Sequence, residues 1–292
     1  MVMSETSYPH VVAATVIPCI PCPSVKLSGT PITVRSQSMD SPAMHTWWLY
    51  SESAESLVHL THEGLDTIRR LPDVMRELKL SDDAIQSANF KAEYAAKEID
   101  SGFAILHAHS LLGLWGAMES LVEDLFLERL HANESLLSSE TFAKVRIPVS
   151  VIGSSDQRDR AVLAEASRAS NAHLALGTGK FERLLEYVSL SGPVPKRIRD
   201  IMFRTQQVRN VWAHRAGYAD QKFVERCPDL GVALGSRVDI NATAFVEMMH
   251  GMHMYVVVLN NRLRLQNGQP ALVVECIGYE GVLASADPEP VA

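Results

Sequence analysis

Two apolar stripes at helical spacing run through this 292-residue chain and decide what it can fold into. Leu111, Leu114, Met118, Leu121 and Leu125 step three, four, three, four, and Trp115, Val122 and Phe126 broaden the stripe. Near the C-terminus Phe245, Met249, Met252, Val256, Leu259 and Leu263 alternate steps of four and three. An α-helix turns about 100° per residue, so this spacing aligns side chains on one face, whereas a strand needs strict alternation. A face that wide marks a core helix, which other helices must cover. Strand signals are nearly absent elsewhere, apart from a short segment from Pro270 to Ile277. The expected fold class is all-α, an up-and-down helical bundle.

Punctuation along the chain divides it into three parts. Residues 1–45 are rich in Pro, Ser and Thr and read as an irregular leader, within which Met39 or Met44 is a candidate start. Residues 50–265 form the helical domain, and residues 266–292 a tail. The first helix is expected from Glu52, with Leu57, Leu60, Leu65 and Ile68 recurring at mixed three-, four- and five-residue steps and a stop at Leu71-Pro72. Ser81-Asp82-Asp83 supplies a cap and an acidic first turn for a second, much longer helix. Pro148 and Gly153-Ser154-Ser155-Asp156 make a break, after which Arg158 to Val188 is mostly helical with an interruption at Gly177-Thr178-Gly179. Pro195 opens a helix that Gly217 ends, and a loop containing Pro228, Gly231 and Gly235 leads into the last helix.

Bulk charge argues against a global nucleic-acid-binding field: the formal net charge is −7 and the pI about 5.9. Any RNA contact must come from a local patch. Four cysteines at 19, 22, 227 and 276 are too sparse for a disulfide framework, so the expected setting is a reducing cytoplasm. The apolar run Val11 to Val16 lacks a basic flank and is followed by Pro18 and Pro21, which is unlike a signal peptide. His107, His109, His250 and His253 interrupt the best apolar stretches before the roughly 20 residues that span a bilayer, so no membrane role is expected.

The local patch lies on the helix from Pro195. Ile198, Ile201, Thr205, Val208 and Trp212 define its buried stripe. Asn210 and His214 then fall one turn apart on a face turned away from it, Arg209 lies at its edge, and Gln206 extends the polar column upstream. Lys196, Arg197, Arg199, Arg204, Arg209 and Arg215 crowd this segment against a single acid, Asp200. RNA can be cut without a metal if a base takes the 2′-hydroxyl proton, an acid protonates the leaving 5′-oxygen and a cation steadies the phosphate. An imidazole can be the acid or base, and a guanidinium grips phosphate oxygens with two parallel hydrogen bonds. Taken alone, a His and an Arg near a helix end are more often surface or capping residues than catalysts.

The run Arg209-Asn210-Val211-Trp212-Ala213-His214 resembles the Arg, polar residue, spacer and His signature of HEPN domains. Arg215-Ala216-Gly217 and Asp220-Gln221-Lys222-Phe223 resemble the usual continuation. Trp115-Gly116-Ala117-Met118-Glu119 through Glu123-Asp124-Leu125-Phe126 is similar to an early core helix of bacterial members, particularly the MAE-type or RiboL-PSP-HEPN group, and the likeness spans roughly residues 85–265. The resemblance implies a HEPN-like helical bundle that dimerises so that two Arg/His motifs line one cleft, and RNA cleavage leaving a 2′,3′-cyclic phosphate. Arg209 would contact phosphate, Asn210 would support the site and His214 would be the acid/base, with Arg204, Gln206 and Arg215 as RNA contacts. No cofactor and no metal are implied. Members act as toxins or in phage defence, restrained in some cases by an antitoxin or regulatory protein. Others have lost activity and bind RNA, a nucleotide or a protein partner.

Other signals weigh less. Gly177-Thr178-Gly179-Lys180 has Phe181 where a phosphate-binding loop needs Ser or Thr, and His62-Glu63 has Asp66 where a zinc-protease pattern needs His. Cys19 and Cys22 have no second pair. His250 and His253, one turn apart, give a metalloprotein as a third reading, although a core-facing helix explains them more simply. Glu119 and Glu123 form a carboxylate pair whose expected place is a solvated helix face.

Overall fold

A computed structural model describes residues 39–145, 155–170 and 175–272, which form eight α-helices and no strand. Most of the leader (residues 1–38), the break around Pro148 and most of the Pro270–Ile277 segment lie outside the described residues.

The first helix, α1 (Pro42–Glu77), begins ten residues before the apolar period suggests. Ser41 caps it through Met44 N, and Pro42 stands in the first turn, where its missing N–H costs nothing. Glu128 secures this start by accepting from Ser41 Oγ at 2.6 Å and Ala43 N at 2.8 Å. Residues 42–45 therefore belong to the helical domain, and Met44, Trp47 and Trp48 to its core. Pro72 also fails to end the helix, which continues to Glu77 with the proline ring buried. A proline forfeits one helical hydrogen bond, and packing against the next helix can outweigh that loss.

That next helix, α2 (Asp82–Asp100), folds back on α1 and stops where a much longer helix was expected. The break is at Gly102 and Phe103, both left-handed at φ 67° and 58°. Glycine takes that conformation freely; Phe103 does so with its ring stacked on His62 at 3.8 Å. From there α3 (Ala104–Ala132) runs through the core, with Leu111, Leu114, Trp115, Met118 and Phe126 fully buried.

Two short helices, α4 (Ser155–Ala169) and α5 (Thr178–Leu185), pack on α3. They lead to α6 (Lys196–Arg215), α7 (Gln221–Arg226) and the second core helix, α8 (Ala242–Gln266). By length and composition α8 could cross a membrane, contrary to the interruption expected from its histidines. In this fold it is a bundle core instead: 67% of its most apolar window is buried, against α6, α3 and α1. Gly251 lets α6 approach α8 closely, since a Cβ there would lie 2.4 Å from Ile201 Cγ2.

Candidate functional site

The Arg/His helix is α6, and its inner face is the one the periodicity points to. Ile198, Ile201, Thr205 and Val208 are buried, and Trp212 is partly buried. Trp212 Nε1 donates to Val238 O at 3.0 Å, and the Arg237 guanidinium lies 5.1 Å from its ring centre. The loop after α6 is thereby folded against the motif helix, tied also by Val238 N to Gly217 O at 2.8 Å. Ala216 closes the helix in a left-handed conformation, φ 52°.

Arg209 is half-buried. Its Nη1 donates to Asn210 Oδ1 at 3.2 Å and its Nη2 meets Glu119 Oε2 at 3.5 Å, while Nε is buried without a hydrogen-bond partner among the described residues. Glu119 is held more firmly from elsewhere: its Oε1 accepts from Lys180 Nζ at 2.6 Å and from Trp115 Nε1 at 3.0 Å. Glu119 is thus the hub of a charged cluster joining α3, α5 and α6, not a solvated side chain. One turn on, Glu123 has its carboxyl pushed up, first by burial and then by the negative charge of Glu119.

Lys180 reaches this cluster because α5 is docked on α6 at its first residue. Gly177 N donates to Gln206 Oε1 at 2.7 Å, and a Cβ at Gly177 would press to 3.1 Å from the Phe203 backbone. The Gly177-Thr178-Gly179-Lys180 stretch is therefore a structural joint that delivers a lysine. Sequence reasoning missed Lys180; its one available signal was the glycine pair before it.

The other expected site residues separate into two groups. Asn210 is half-buried beside Arg209, and His214 is exposed in the last turn, with no side-chain hydrogen bond among the described residues. Arg209 and His214 are five positions apart, which sets them about 140° apart around the axis and about 7.5 Å along it. Gln206, expected on the polar column, is buried and its oxygen is committed to Gly177. Arg204 pairs with Asp229 at 2.8 Å, Arg215 with Asp220 at 3.6 Å and Lys196 with Asp200 at 2.6 Å. Two of these acids, Asp220 and Asp229, come from the segment after α6, which the count along α6 alone could not reveal, whereas Asp200 lies on α6 itself.

Of the two histidines in the metal reading, His253 has both ring nitrogens engaged. His253 is buried with Nε2 3.0 Å from Ser51 Oγ and Nδ1 3.0 Å from Met249 O. No group of three or more His, Cys, Asp or Glu able to hold a metal occurs among the described residues. Cys19, Cys22 and Cys276 lie outside the described residues; Cys227 is buried, its thiol pushed up to about 11 chiefly by burial.

No protein-family profile, curated protein or solved structure matches this chain.

Proposed function

We propose that this protein is a metal-independent endoribonuclease of HEPN type, acting in the cytoplasm as a toxin or phage-defence effector. The observation that carries the reading is the state of Arg209: a half-buried guanidinium next to Asn210, with Nε unspent among the described residues and an ion pair to Glu119 long enough to exchange. Because Lys180 and Trp115 keep Glu119 in place, a phosphate can take over Arg209 without setting Glu119 adrift. The exposed imidazole of His214 is the acid/base, exchanging protons with the 2′-hydroxyl or the 5′-leaving oxygen. Arg209 steadies the charge that grows on the phosphate, and Asn210 orients it. In this reading two copies of the chain set two Arg209/His214 motifs along one cleft, with the exposed guanidiniums of Arg204 and Arg215 on the RNA path, and an antitoxin or regulatory protein restrains the activity.

A second reading is favoured by the pairing of Arg204, Arg215 and Lys196 with acids, which leaves little free positive charge. It is a catalytically silent module that binds RNA, a nucleotide or a protein. Incubation of the purified protein with mixed RNA in excess chelator separates the two. Cleavage lost in both Arg209→Ala and His214→Ala is the result expected of the nuclease. RNA retained intact by a binding-competent wild type supports the silent module, and cleavage that requires added metal contradicts the mechanism.

A further inference from the structure

Helix α1 carries two apolar stripes at the same spacing. Val58, Leu65, Ile68, Pro72 and Met75, buried or half-buried, form the inner stripe of a helix that packs on α2 and α3. The second, one residue back, runs Leu57, Leu60, Gly64, Thr67, Leu71 and Val74 and ends at Leu78 beyond the helix. Four of its five large side chains are left to solvent, Leu57 at 60% exposed, Leu60 66%, Val74 46% and Leu78 66%, and Leu71 is half-buried. Alternating steps of three and four sustained over three heptads are the period of a helix–helix seam, not of a solvated face. Gly64 sits in the middle of it, and a Cβ there would meet nothing within 4 Å. An exposed glycine weakens a helix interior unless another backbone comes close to it.

We propose that this stripe is the docking seam for a second copy of the same chain, laid antiparallel so that two α1–α2 hairpins close into a four-helix bundle. The stripe is self-complementary about a point between Gly64 and Thr67. Antiparallel pairing sets Leu60 against Leu71 of the second copy, Leu57 against Val74 and Gly64 against Thr67, which is the reciprocity a two-fold interface requires. Charge agrees with that direction. Glu63 and Arg70 are exposed on one edge of the stripe, and the antiparallel arrangement brings Glu63 of each copy beside Arg70 of the other. Parallel pairing would set them against Ile68 and Met75 instead. Arg70 already meets Asp66 on its own helix at 2.5 Å, an exposed pair that can be shared. The stripe is about 32 Å long, and a hairpin two helices wide offers roughly 640 Å² per chain, enough for a specific interface at the small end of the range. The seam is argued from α1 and α2 alone; it would hold together the two copies that the ribonuclease reading requires, and a dimer that survives Leu60→Asp and Val74→Asp would overturn the seam while leaving that reading standing.

Light scattering on the full chain tests it, with twice the chain mass expected for wild type and a single-chain mass for Leu60→Asp. Val74→Asp, farther along the hairpin, repeats the test should Leu60→Asp fail to fold, and far-ultraviolet circular dichroism checks that each variant keeps its helices. Glu63→Arg or Arg70→Glu alone raises the dissociation constant about tenfold, and the double reversal restores it. Arg209→Ala keeps the wild-type mass. A wild-type mass of one chain at every concentration, a dimer that survives both Leu60→Asp and Val74→Asp, or charge reversals that do not rescue one another overturns the proposal.

Discussion

His253 shows how a residue read from its sequence neighbours changes meaning once its spatial ones are known. Spacing paired it with His250, yet its ring lies edge-on to Trp47 and Trp48 at 5.2 and 4.9 Å and shares Ser51, all from the start of α1. Those partners are about 200 residues away in the chain, so no local period could reveal them. Burial, aided by the charge of His250, pushes the imidazole down to about 4 although its bond to Met249 O opposes this. The unfolded chain therefore binds a proton here below about pH 6.5 that the folded protein refuses until about pH 4. Stability is full above pH 6.5 and falls through this window, His253 contributing a loss on the order of 3 kcal/mol by pH 4. Half-buried His62, also pushed down to about 4, acts in the same direction. Urea midpoints from pH 7.5 to 4.5 should fall for wild type and fall less steeply for His253→Asn; parallel curves would show that His253 is not responsible.

At the scale of elements, the stripes on α3, α6 and α8 were legible because long amphipathic periods record burial directly. Their ends were not. Pro72 was read as a stop because the missing N–H is a local fact, whereas the packing of α2 against that turn is not. Gly102 and Phe103 hid a break inside a helix-like pattern, since left-handed backbone leaves no trace in apolar spacing. Two predictions follow from backbone geometry. Gly251→Ala forces α6 away from α8 and should destabilise the protein by about 1–3 kcal/mol, measured by urea unfolding, with partial recovery in Gly251→Ala/Ile201→Ala. Ala216→Gly relieves the left-handed cap of α6 and should raise stability by roughly 0.5–1 kcal/mol; an unchanged or lower midpoint would show that the cap is unstrained.

For the molecule as a whole, the all-helical class was readable from period alone, and so was the placement of Asn210 and His214 off the core. The electrostatic layout was not, because the acids that neutralise α6 come from elsewhere: Glu119 from α3, Asp220 and Asp229 from the loop beyond. That layout predicts weak salt dependence for RNA binding, with a log–log slope of about −2 or shallower; a slope steeper than about −5 would mean that the ion pairs open on binding.

Attack by a 2′-hydroxyl steered by the α6 motif, as proposed for this protein, leaves its mark on the ends of the cut RNA. Mass spectrometry of one defined oligonucleotide, incubated with wild-type protein in chelator, should show fragments ending in 2′,3′-cyclic phosphate. None should appear when the 2′-oxygens are methylated or when Arg209→Ala or His214→Ala replaces wild type. Fragments ending in 3′-hydroxyl, or cleavage of the methylated strand, would rule out the 2′-hydroxyl as the nucleophile.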